Sequence, residues 1–134
     1  MKSTNPNNNT INNWVKIAEY DLETAKAMLK SGRYVYVAFT CQQAIEKILK
    51  ALFVKRKGKT PSYTHNLTKL AEESEILIEL TDQYRRILET LNLYYIQSRY
   101  ADDIDKMSLA LSKTETLSML RDTENVYRWL KSLL

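Results

Sequence analysis

Apolar residues return every three or four positions along most of this chain, the spacing that lines side chains along one face of an α-helix. The first series is Ile11, Val15, Ala18, Leu22, Ala25 and Leu29, with Lys16, Glu23, Lys26 and Lys30 facing the other way. Gly32 follows and suits a left-handed C-terminal stop. A second helix is expected from about Tyr34 to Arg56, with the same rhythm at Tyr34, Ala38, Cys41, Ile45, Ile48 and Leu52. A further row, Val35, Phe39, Leu49 and Phe53, widens its apolar surface. So wide a stripe needs partners on more than one side, from within the chain or from another subunit.

The stretch "GKTPSYTHN" interrupts the pattern with glycine and proline, and Thr64 reads as the N-cap of a short third helix carrying Leu67, Leu70 and Ala71. The fourth helix begins near Thr81 and Asp82, has the stripe Tyr84, Leu88, Leu91, Tyr95 and Ser98 flanked by Ile87 and Tyr94, and ends where "SRYADDIDK" turns polar. Ser112 and Glu115 match the capping-box spacing and open a fifth helix with Leu117, Leu120, Tyr127, Leu130 and Leu134 as its buried face. Long amphipathic helices with short connections pack as antiparallel bundles. The expected fold is all-α: an antiparallel up-and-down bundle of four long helices plus one short helix. Residues 1–10, polar and rich in asparagine, are expected to be a disordered leader, and 11–134 a single helical domain.

Composition narrows the chemistry. A chain of 134 residues fits one domain, and its single cysteine, Cys41, excludes an internal disulfide or a cysteine-built zinc cage. No metal or other cofactor is expected. The polar N-terminus holds no apolar signal core and no later run reaches the length of a membrane span, so a cytoplasmic protein without membrane contact is expected. The formal charge is only +4, but "KALFVKRKGK" gathers Lys50, Lys55, Arg56, Lys57 and Lys59 without an acid. Such a run either complements the macrodipole at a helix C-terminus or attracts a polyanion.

No phosphate-binding glycine loop, zinc-protease helix or nucleophile elbow is present. His65 is the one histidine, placed by the expected helix 3 at that helix's first turn, where it either caps the helix or helps bind an anion. The stretch "NLYYIQSRYADDID" is more pointed: Leu91, Tyr95 and Arg99 are spaced four apart and share a helix face. The planar fork of Arg99 suits a phosphate or carboxylate, and Tyr94, Tyr95 and Tyr100 either stack on a ligand or bury their rings. Equally, the cluster caps the core, with Asp102 or Asp103 pairing Arg99.

The segments "WVKIAEYDLETAKAML", "GRYVYVAFTCQQAIEKILKALF", "THNL" and "YYIQSRYADD", in that order, resemble the HEPN family, helical domains often found with minimal nucleotidyltransferases and resembling the helical domain of kanamycin nucleotidyltransferase. The residues that carry the resemblance are Gln43, Ala44, Glu46, Lys47, Lys50, Thr64, His65, Tyr95, Arg99, Tyr100 and Asp102. It implies a non-catalytic module that binds a nucleotide or other polyanion, RNA included. The ligand-binding residues would be Lys50, His65, Tyr95, Arg99, Tyr100 and Asp102. It implies a homodimer and a minimal nucleotidyltransferase partner, as in a toxin–antitoxin pair.

Two positions depart from the pattern. Ala101 stands where the family branch has proline. The family's ribonucleases carry an arginine and a histidine with four to six residues between them, and after Arg99 those positions hold Ile104, Asp105 and Lys106. The competing expectations are a metal-independent ribonuclease toxin using Arg99 and His65, and a purely structural dimerisation scaffold.

Overall fold

Proline at the first position of a helix loses nothing, because its missing N–H would have no partner there. That is how α1 (Pro6–Lys30) begins in the computed structural model, which describes the backbone of residues 6–97 and 101–134 and the side chains of 7–95 and 105–134. Residues 6–10, expected in a disordered leader, therefore belong to α1. Ile11, Ala18, Leu22 and Ala25 are buried as their spacing required, and Lys16, Glu23, Lys26 and Lys30 are exposed. At the far end Gly32 has φ +78°, with Arg33 N–H donating to the Met28 carbonyl and Gly32 N–H to that of Leu29. This six-to-one and five-to-two closure is a Schellman stop, and it reverses the chain into α2 (Tyr34–Lys57).

α2 is the axis of the molecule, contacted by α1, α3 (Leu67–Glu73), α4 (Asp82–Gln97), α5 (Ala101–Ala110) and α6 (Lys113–Ser132). Cys41, Ile45, Ile48, Leu49 and Leu52 on it are fully buried. Much of its apolar surface is covered within the chain, with Val35 and Leu49 buried and Phe39 and Phe53 half-buried. Burial also pushes the Cys41 thiol up to about 12, so it behaves as a core residue.

The expected antiparallel all-α bundle is present, with six α-helices and one 3-10 turn (Leu77–Glu79) among the described residues. α5 is the helix that the sequence reading missed. Three aspartates made its segment look like a polar exit, yet Met107 and Leu111, four apart, bury against Val35 and Ala38 of α2 and form a small second core.

Local chemistry explains the boundaries. Thr81 Oγ1 accepts from Tyr84 N–H to start α4, and Ser112 Oγ accepts from Glu115 N–H to start α6. α3 is capped by Asn66, whose Oδ1 accepts from Lys69 N–H, and not by Thr64. Thr64 Oγ1 instead accepts from Asn66 N–H in the preceding turn. α6 buries Thr116 and Thr123 along with Leu120, Val126, Tyr127 and Leu130, whereas Leu117 and Leu134 are only half-buried. Both threonines return their hydroxyls to carbonyls four residues earlier, which lets them serve as apolar positions. No helix among the described residues is long and apolar enough to cross a membrane.

Candidate functional site

Three polar residues at successive turns of α2, Gln42, Glu46 and Lys50, are buried at 0%, 1% and 5% exposure in a helix otherwise packed with aliphatic side chains. A carboxylate so placed persists only if both oxygens are satisfied. Glu46 Oε1 lies 2.9 Å from His65 Nδ1 and accepts from Gln42 Nε2 at 3.3 Å, while Oε2 is 3.1 Å from Lys50 Nζ and 3.3 Å from Lys47 Nζ. Burial alone would push the Glu46 carboxyl up. The His65 hydrogen bond and the two lysines outweigh it and hold the group below its ordinary value.

Aromatic rings bracket this centre. Both ammonium groups sit 5.6 Å from the centroid of the Trp14 ring on α1, within cation–π range. On the other side the His65 ring lies 5.1 Å from that of Tyr95, which in turn stacks on Phe39 at 5.4 Å and 14°. Trp14, the lysine pair, Glu46, His65, Tyr95 and Phe39 thus form one continuous series across α1, α2, the loop before α3, and α4. Asp21, two turns beyond Trp14, has Oδ2 buried without a hydrogen-bond partner among the described residues. Burial pushes its carboxyl up, Lys47 pulls it back and Glu46 adds to the rise.

His65 is in the loop and not in the first turn of α3, since α3 starts at Leu67 behind its Asn66 cap. Two side chains fix that loop from outside. Gln42 Nε2 donates to the His65 carbonyl at 2.8 Å. From α4, Asn92 Oδ1 accepts from Leu67 N–H at 2.8 Å and its Nδ2 donates to Asn66 Oδ1 at 3.2 Å. Tyr95 follows Asn92 by about one helical turn, so the residue that anchors the loop also brings the tyrosine ring to the histidine.

Of the six expected ligand-binding residues, Lys50, His65 and Tyr95 come together in this cluster. Arg99 and Tyr100 lie outside the described residues, and for Asp102 the backbone falls in α5 while its side chain lies outside them. The Lys50 side chain is 7% exposed and paired with Glu46, whereas those of Lys47 and His65 are 19% and 48% exposed. The hub itself, Glu46, together with Gln42, Asn92 and Trp14, was not among the expected site residues. A glutamate and a glutamine four apart among the aliphatic residues of a central helix were the available signal.

Of the basic run, Lys50 lies in this cluster, whereas Arg56 and Lys57 are paired elsewhere. Arg56 donates to the Ser74 and Glu75 carbonyls and pairs with Glu79 at 2.9 Å, and Lys57 pairs with Glu75 at 2.6 Å. A separate groove of about 290 Å³ between α4 and α6, with Ile87, Leu91 and Met119 in its lining and Arg86 and Asp122 on opposite helices, includes Tyr94 but none of the clustered residues. Among the described residues no group of histidine, cysteine and carboxylate side chains is arranged to hold a metal ion.

These features define a helical-bundle domain with a buried ion cluster beneath aromatic walls. The chain belongs to the HEPN family: the HEPN domain profile matches residues 11–133. It is similar in fold to the crystal structure of TT1696 from Thermus thermophilus, with a TM-score of 0.80 and 22% identity over 92% of this chain and 98% of that one. A comparison with curated proteins gives no match.

Proposed function

We propose that this chain is a non-catalytic HEPN module that binds a nucleotide or another polyanionic ligand beside the Glu46 cluster. One observation supports the reading most: a single buried carboxylate gathers two lysines and a histidine under the rings of Trp14 and Tyr95. Two ammonium groups against one carboxylate leave positive charge next to aromatic faces, the combination that suits phosphate and base together. Lys47 and His65 meet the phosphate in this reading, Tyr95 provides a stacking face, and Lys50 holds Glu46 in place. Arg99, four positions after Tyr95, adds a bidentate fork, with Tyr100 and Asp102 as its neighbours.

Membership in the HEPN family supports a nucleotide-related role, and a minimal nucleotidyltransferase encoded beside this chain, as in a toxin–antitoxin pair, would supply the catalytic partner. Pairing of two copies is part of the same proposal, and sedimentation at micromolar concentration checks it against a monomer of 15.7 kDa. Calorimetric titration of wild type, Arg99→Lys and Arg99→Ala with nucleoside triphosphates and short RNA tests the binding role. The expected loss is about 1.5 to 3 kcal/mol for Arg99→Ala, the usual worth of a hydrogen bond to a charged group. A wild type that binds none of them removes the reading.

A second reading draws on the Glu46–His65 pair. A carboxylate that orients an imidazole is a familiar support for general acid–base work, and with Arg99 it would serve a metal-independent ribonuclease. Turnover of RNA that disappears in both His65→Ala and Arg99→Ala would favour the enzyme over the binding module.

A further inference from the structure

The ion cluster also decides which nitrogen of His65 carries the proton. The Glu46 carboxylate, held ionised by its neighbours, can only accept, so the nitrogen 2.9 Å from its Oε1 must donate, and that nitrogen is Nδ1. Gln42 is oriented by the same logic. Its amide nitrogen faces a carboxylate oxygen at 3.3 Å and the His65 carbonyl at 2.8 Å, both acceptors, so the amide cannot be turned around. Two residues one turn apart on α2 thus fix the histidine, one through its ring and one through its backbone. Nε2 makes no hydrogen bond among the described residues, and the side chain is half-exposed.

We propose that Gln42 and Glu46 are positioning residues that lock His65 in its Nδ1–H form, so that Nε2 takes up a proton as a phosphate-bearing ligand binds. The coupling rests on the anion-binding reading above and specifies how that site meets its ligand. The groups around the ring are Glu46, Lys47 and Lys50 on α2, Tyr95 on α4 and, across Lys47, Asp21 on α1. Two lysines against Glu46 leave one positive charge, and any ionisation of Asp21 reduces it. A polyanion therefore meets too little fixed charge, and a proton on Nε2 supplies both a charge and a donor. Because Nδ1–H stays on Glu46 in both states, the ring gains that proton without turning.

The experiment has two arms. His65 is the one histidine in the chain, so the nitrogen resonances of its ring in the free protein are read without overlap. The neutral form should show a protonated Nδ1 and a bare Nε2. The reverse tautomer would overturn the lock on its own, whatever binds. In the second arm, affinities for ATP and for an oligouridylate without terminal phosphates are measured by calorimetry from about pH 8 to about pH 5, where imidazole side chains change charge, for wild type and His65→Gln.

The ligand's own ionisation drops out of the wild-type to variant ratio. That ratio should grow as pH falls, approaching about tenfold per pH unit where one proton is taken up. Binding with a ratio that does not change with pH overturns the coupling and leaves the anion site standing. Binding of neither probe at any pH removes the anion site and the coupling with it.

Discussion

α2 carries two groups of basic side chains, and they are used in opposite ways. Arg56 and Lys57 belong to the conspicuous run at its C-terminus, and each finds its own carboxylate on the α3 side of the molecule. Arg56 also ties down two carbonyls where α3 ends, in the turn where Glu75 takes φ +61°. They form a clamp between two segments. Lys47 and Lys50, one turn or more before that end, converge on one carboxylate that is already engaged by a histidine and a glutamine. One-to-one pairing discharges a surface, whereas two lysines on one buried acid concentrate charge and lock its geometry. Local cation density in a sequence therefore does not reveal how its cations are paired.

The largest effect is expected in the helix on which both groups depend. Ile45→Asp, at a fully buried position beside Glu46 in the chain, should unfold the domain, with a loss of about 4 kcal/mol or more, because its carboxylate meets no partner. Chemical denaturation reads this directly. Glu46→Gln should cost about 3 kcal/mol, since Lys50 is then left buried without its anion.

The Glu46 effect carries a pH signature. Its folded carboxyl lies below the ordinary value, so its contribution is fully present above about pH 4.3, the unfolded glutamate value, and is lost as pH falls through the folded one. Wild type and Glu46→Gln should therefore converge in stability in acid. A gap that stays constant down to acid unfolding would contradict the pairing.

At the clamp the effects shrink. Arg56→Ala should cost about 1 kcal/mol, for carbonyls at the end of α3 that return partly to water. Lys57→Gln should leave the melting temperature unchanged, because its pair with Glu75 is solvent-screened. A clamp substitution more costly than Glu46→Gln would reverse the comparison.

The difference between the two regions also marks how far the sequence can be read. Interior periodicity placed α1, α2, α4 and α6, and single residues such as Gly32, Thr81 and Ser112 placed their ends, because those signals are local. α5 escaped because Asp102, Asp103 and Asp105 masked an apolar spacing that only α2 completes. Thr116 and Thr123 escaped because a hydroxyl bonded to its own helix looks polar in sequence and apolar in the core. His65 and Tyr95 were legible as chemistry, but their centre was not. Glu46 meets His65 across nineteen positions of sequence, and its spacing from Gln42 gives no sign of that partner.

The proposed site puts ligand binding at the shared-carboxylate cluster and not at the paired cations Arg56 and Lys57. Calorimetric titration of nucleoside triphosphate and short RNA into wild type, Lys47→Gln and Lys57→Gln tests it with two substitutions of identical chemistry on one helix. Lys47→Gln is expected to weaken binding about tenfold, near 1.4 kcal/mol, while Lys57→Gln binds as wild type does. Affinity that falls with Lys57 and not with Lys47, or a wild type that binds neither ligand, would contradict it.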